Sequence, residues 1–172
     1  MVKLFLHNRI YQIAHKVNLT QVDVRNIITS YVDLLKEELV SGRKIQIPNI
    51  VFITPDVLND TSVATLACHA KVLSERLSIT YYSVFLILDE YIKSIIRDLE
   101  EGRVVNIYSL LTLKPLRCKG GTDMTVHANI SGTLKDSKEN VLSENLNFRT
   151  SINKLIKWRI SANFRAKGGA IQ

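Results

Sequence analysis

Apolar positions along the chain fall into blocks with helical or strand spacing. Leu6, Ile10, Ile13, Ala14 and Val17 recur at intervals of three and four, which predicts a helix over residues 4–17. Asn18-Leu19-Thr20 interrupts it. Thr20 then suits an N-cap with Asp23 three positions on, the start of a capping-box-like helix entry. Val24, Ile27, Ile28, Tyr31, Leu34, Leu35 and Leu39 share one face of the long helix that follows. Ser41-Gly42 ends it, the glycine supplying a left-handed C-cap. Lys44 to Ile47 alternates as a strand, Pro48-Asn49 turns, and Ile50 to Ile53 extends the chain again as the second arm of a hairpin.

The same order returns 60 positions later without a gap. Thr20 pairs with Thr80, Val24 with Val84, Ile27 with Ile87, Tyr31 with Tyr91, Leu39 with Leu99, Ile47 with Ile107 and Pro55 with Pro115, and Gly42-Arg43 recurs as Gly102-Arg103. Self-similarity at one fixed offset marks a supersecondary unit used twice. Pro55 to Ser62 is polar and reads as the connector. The second long helix adds Tyr81, Tyr82, Phe85 and Leu86 to its core positions, so it is expected to lie sandwiched by other elements or by another subunit.

Only the second copy continues. Arg117 to Asp123 (RCKGGTD) reads as a flexible basic loop with Gly120-Gly121 at its tip, and Met124 to Ile130 alternates as a strand with Val126, Ala128 and Ile130 inward. Lys135 to Glu144 is a polar excursion, and Leu146 to Phe148 a short strand. Ser151 is the expected cap of a closing helix that carries Ile152, Leu155, Ile156 and Trp158. Residues 161–172 read as a basic tail. The expectation is an α+β chain: a truncated unit over 1–60, a fuller one over 61–160, and the tail.

Charge alters this picture more than bulk composition does. The 172 residues are 46% hydrophobic, which argues against disorder. Residues 1–60 carry seven basic and six acidic side chains, 61–112 five and six, and 113–172 eleven and four. The surplus of +7 thus lies in the last third, which points either to an anionic partner such as nucleic acid or to a solvated basic surface. Candidate contacts there are Lys114, Arg117, Lys119, Arg149, Lys154, Lys157, Arg159, Arg165 and Lys167. Arg43 and Arg103 read as favourable charge at helix C-termini, and Tyr31 and Tyr91 as core residues with a hydroxyl at the rim.

Catalytic signatures are missing. The acidic pairs Glu37-Glu38, Asp89-Glu90 and Glu100-Glu101 are adjacent and diverge on their helices. His7, His15, His69 and His127 have no metal-ligand spacing with a cysteine or carboxylate, and no phosphate-cradling glycine motif occurs. No enzymatic activity, metal, cofactor or small-molecule substrate is expected. Cys68 and Cys118 read as reduced thiols. Charges break the greasiest stretch, Ile79 to Leu99, so no membrane span is expected, and the N-terminus shows no signal-peptide pattern.

The segment IAHKVNLTQVDVRNIITSYVDLLKEELVSGRKIQIPNI resembles the HU/IHF family of bacterial DNA-bending proteins. LNFRTSINKLIKW is similar to the last strand and closing helix of HU-like proteins from Bacteroidetes and their phages. The resemblance implies two HU/IHF-like units able to pair within one chain. It departs from the family where a Gly-Phe-Gly-Thr-Phe stretch is usual, since Ile50 to Ile53 and Leu110 to Leu113 stand there. No proline follows Pro115 to serve as an intercalating wedge. Divergent HU-like proteins also occur among virion genes of crAss-like tailed phages. That likeness implies a multimeric virion component, of a tail or head–tail ring, contacting further copies and other virion proteins. Exposed helix surface and the unpaired hairpin edges of the first unit would make its contacts. The alternative it implies is an architectural binder of double-stranded DNA, nucleoid-associated in the bacterial cytoplasm.

Overall fold

A computed structural model describes residues 6–119, 121, 123–131 and 148–168. In chain order they form α1 (Leu6–Val17), α2 (Gln21–Val40), β1 (Ile45–Ile47), β2 (Val51–Pro55), α3 (Leu66–Leu77), α4 (Tyr81–Glu100), β3 (Val105–Ile107), β4 (Leu111–Arg117), β5 (Met124–Ile130), β6 (Phe148–Ile152) and α5 (Lys154–Ala166). The protein is α+β, with two small antiparallel sheets of three strands each. Residues 4 and 5 of the first expected helix and the excursion at 135–144 lie outside the described residues.

The repeat extends to individual hydrogen bonds. The helices and the first strands of the two copies begin and end 60 residues apart. Thr20 caps α2 by accepting from the Asp23 amide at 3.1 Å, and Thr80 caps α4 by accepting from Ser83 at 3.3 Å. Asn18 and Ser78, which break each helix pair, both take positive φ, as do Asn49 and Ser109 at the hairpin turns. Gly42 and Gly102 stop the long helices at φ +87° and +77°, where a side chain would be strained. At Gly42 a Cβ would also meet the Asn59 side chain at 2.5 Å.

The third strand of each sheet comes from a different place than sequence spacing suggests. β5 pairs with β4, from Leu111↔Ile130 to Arg117↔Met124. β6 pairs with β2, from Val51↔Ile152 to Pro55↔Phe148. Strand β6, which the sequence places in the fuller unit at 61–160, therefore joins the sheet of the first hairpin. Both third strands end alike: the Ser131 amide donates to the Leu110 carbonyl and the Asn153 amide to the Ile50 carbonyl, each at 2.8 Å. The β2 side of the first hairpin is consequently paired, and β1 and β6 are the edge strands of that sheet among the described residues.

Helix α5 differs from expectation at both ends. Ser151 lies in β6, and Asn153 is the cap, accepting from the Leu155 amide at 2.8 Å. The helix continues to Ala166, so residues 161–166 are not tail. The reason is packing: Ile156, Ile160 and Phe164 recur every four residues and are buried, while Ser161 exchanges hydrogen bonds with the Met124 backbone of β5. Arg117 ends β4, and the Cys118 amide donates to the Asp123 carbonyl at 2.9 Å to close the turn. Gly120 and Thr122 lie outside the described residues.

The helices α2 and α4 pack together, with α1 against α4 and α3 against α2, so each copy laps onto the other. The polar contacts across this junction are reciprocal. Arg9 on α1 reaches Asp98 on α4 at 2.6 Å, and His69 on α3 reaches Glu38 on α2 at 2.9 Å. These pairs are related by the 60-residue offset; Lys16 and Arg76 are also 60 apart, but they reach non-equivalent carboxylates of the opposite copy, Glu90 at 3.0 Å and Glu37 at 3.3 Å. Reciprocity of this kind defines an isologous interface, here formed within one chain.

Burial of that junction gives it an alkaline limit. Desolvation raises the Tyr31 phenol, with smaller contributions from Tyr91 and Glu38, and pushes Tyr91 up to about 12 against the opposing Arg9 charge. The Tyr31 hydroxyl has no hydrogen-bond partner among the described residues, so it is buried and not at a rim. In the unfolded chain both phenols ionise first. Stability is therefore full below about pH 10 and falls as pH rises through the folded values. Tyr91→Phe is expected to remove about 2 kcal/mol of the loss between pH 9 and pH 11.5. Urea denaturation at the two pH values measures it.

Candidate nucleic-acid and partner-contact surfaces

The nine candidate cations occupy four places. Lys114 points outward from β4 opposite His127, and Arg149 points outward from β6 opposite Thr54, on different sheets. Arg117 and Lys119 sit at and beyond the end of β4. Lys154, Lys157, Arg159 and Arg165 are on α5, with Lys167 at its C-cap. Helix α5 has no acidic residue at all.

Most of these charges are engaged by the chain's own groups. Because α5 packs beside the end of α4, Arg159 reaches Glu100 at 3.6 Å and Lys167 reaches Glu101 at 2.6 Å. The hydrogen bond from Lys167, followed by its charge, holds the Glu101 carboxyl below its ordinary value. Glu100 and Glu101 do diverge, and each takes a separate cation. Arg165 reaches Asp123 at 3.2 Å, while Arg149 lies 3.6 Å from Asp56. The Arg117 guanidinium sits 5.7 Å from the Phe164 ring centroid and donates to the Gly121 carbonyl at 3.2 Å. Among the described residues no carboxylate lies within ion-pair distance of Lys114, Lys119, Lys154 or Lys157. The structure thus gathers Arg117 with Arg165, and Arg159 with Lys167. It leaves Lys114 and Arg149 apart from both groups.

Arg43 and Arg103 sit where the glycines end the long helices. Arg103 reaches Asp98 at 3.0 Å and Arg43 reaches Asp60 at 3.0 Å, so both serve the fold. The latter pair also fixes the connector after β2. The Asn59 amide donates to the Gly42 carbonyl at 2.8 Å, its side chain donates to the Ser41 carbonyl at 3.0 Å, and Asp60 accepts from the Ser62 amide at 2.9 Å.

Two features escaped the sequence. Leu155 and Trp158, counted there as apolar members of the closing helix, face outward at 48% and 63% exposure. Ala162 lies one turn further along the same side as Trp158, and Lys154 and Arg159 flank this stripe. The spacing Ile156, Ile160, Phe164 was the signal that would have assigned the other face to the core. The second feature is Arg9, 3% exposed and bonded to Ser94 as well as Asp98. It falls on the apolar face of α1 between Leu6 and Ile13.

Among the described residues no group of three His, Cys, Asp or Glu is placed to hold a metal ion, and no helix is long and apolar enough to cross a membrane. No protein-family model matches the chain, and neither a curated protein nor a solved structure matches it.

Proposed function

We propose that the chain is a non-enzymatic structural protein that uses two HU/IHF-like units as an assembly module, as a multimeric component of a phage tail or head–tail ring. The observation that carries this reading is the division of labour on α5. Three of its five cations, Arg159, Arg165 and Lys167, lie beside Glu100, Asp123 and Glu101, whereas Leu155 and Trp158 face outward. A helix that grips phosphates keeps its cations free, while a helix that meets protein presents an aromatic anchor. The β4–β5 connection supports the same side, because β4 ends at Arg117, β5 begins at Met124 and the Cys118 amide bonds the Asp123 carbonyl between them, so the two strands are not extended into a long wrapping ribbon.

A second reading, an architectural binder of double-stranded DNA, is favoured by Lys114, Lys119, Lys154 and Lys157, which lack a carboxylate partner among the described residues. Sedimentation and electron microscopy of the purified protein, with and without a duplex, separate the two. Assembly predicts large closed oligomers that ignore the duplex at about 0.15 M salt. The alternative predicts a monomer whose duplex affinity falls steeply with salt and drops when the four lysines are neutralised.

A further inference from the structure

The outer face of α5 and the connector between β2 and α3 have complementary chemistry. The connector runs Asp56-Val57-Leu58-Asn59-Asp60, with Val57 62% and Leu58 41% exposed between two carboxylates. Its bonds to Ser41, Gly42 and Arg43 hold that apolar pair out in a fixed pose. The α5 face offers Leu155 and Trp158 between Lys154 and Arg159. We propose that copies of this chain join head to tail, the α5 face of one copy seating on the β2–α3 connector of the next.

Three observations commit the face to a second copy. The charges match: the α5 rim is basic throughout, and the connector's apolar pair is bracketed by acids. Asp56 remains available, since its partner Arg149 stands 3.6 Å away with its side chain 76% exposed, and a pair so loose and wet is weak. The two patches also leave the first sheet at opposite ends. The connector departs after Pro55, whereas α5 departs beside Ile50, where the Asn153 amide is held. Finally, each patch occurs once among the described residues. In the second copy β4 runs on to Arg117 and is followed by strand β5 from Met124, not by a helix, so the connector has no counterpart there. One acidic-apolar head and one basic-apolar tail per chain give a heterologous contact, which repeats in one direction and closes into a ring when the rotation allows.

This inference rests on the assembly reading and names the surface that reading requires. The test uses the full chain with Cys68 and Cys118 replaced by serine, carrying either Val57→Cys or Leu155→Cys. Mixing the two variants under mild oxidation is expected to give a disulfide-linked dimer that neither variant forms alone. Trp158→Glu is expected to raise the concentration at which oligomers form by at least about thirtyfold, as loss of an aromatic hot spot does. Its unchanged melting temperature would show that the exposed site leaves the fold alone. Like-to-like dimers from Leu155→Cys alone overturn the proposal in favour of an isologous contact. Oligomers that persist in Trp158→Glu without a mixed disulfide overturn this surface and leave the assembly reading standing. A parent chain that stays monomeric overturns both, and loss of duplex binding in Trp158→Glu in place of assembly reassigns the face to nucleic acid.

Discussion

Arg9→Met is expected to destabilise the protein by about 3 kcal/mol, the lower end of the usual cost of breaking a buried ion pair. Arg9 is 3% exposed and its guanidinium holds Asp98 of the other copy at 2.6 Å and Ser94 at 2.8 Å. Without it the Asp98 carboxylate, itself 9% exposed, keeps only Arg103 at 3.0 Å. That remaining partner is why the loss sits at the low end. Ser94 still donates to the Tyr91 carbonyl and needs no replacement. The informative comparison is the double variant Arg9→Met with Asp98→Leu, which removes the stranded charge as well as its partner. It should recover more than half of the loss, because an apolar pair of similar volume is often as stable as the ion pair it replaces. Urea denaturation of the four proteins completes the cycle. A double variant as unstable as the sum of the singles would show that the network does not act as a pair.

A chain ending at residue 147 should lose its cooperative unfolding transition altogether. Such a truncation removes β6 from the side of β2, and with it five residue pairs. It also removes Ile156, Ile160 and Phe164 from the core. Three buried side chains at about 1.5–3 kcal/mol each amount to about 5–9 kcal/mol. That is comparable with the whole net stability of an ordinary domain, about 5–15 kcal/mol. The expected result is a chain with retained helical signal in far-ultraviolet circular dichroism, lost near-ultraviolet signal and a broad thermal profile. A sharp melt from the truncated chain would show that β6 and α5 are accessory.

The elements that could be read from sequence are those whose cause is local. Thr20 and Thr80 announce their helices because a hydroxyl there satisfies a free amide three residues on. Gly42 and Gly102 announce helix ends because the left-handed turn favours them. The features that stayed hidden depend on distant partners. Nothing in FRTSI says that it will pair with β2 and not extend the second copy, because strand pairing over long separations leaves no local mark. Arg9 and His69 each interrupt an apolar face at matching positions, which was visible; their partners Asp98 and Glu38 were not, since those belong to the opposite copy. The carboxylates beside the basic third were hidden for a related reason. A charge count assigns Arg159, Arg165 and Lys167 to solvent, and only the docking of α5 beside α4 and the β4–β5 turn supplies their carboxylates.

The pairing of β2 with β6 has a consequence for synthesis. During translation the first hairpin leaves the ribosome with one flank of β2 open, and its proper neighbour, Phe148–Ile152, follows only after the helices and hairpin of the second copy. Throughout that interval an alternating apolar strand presents unsatisfied amides and carbonyls, the setting in which nascent chains stick to one another.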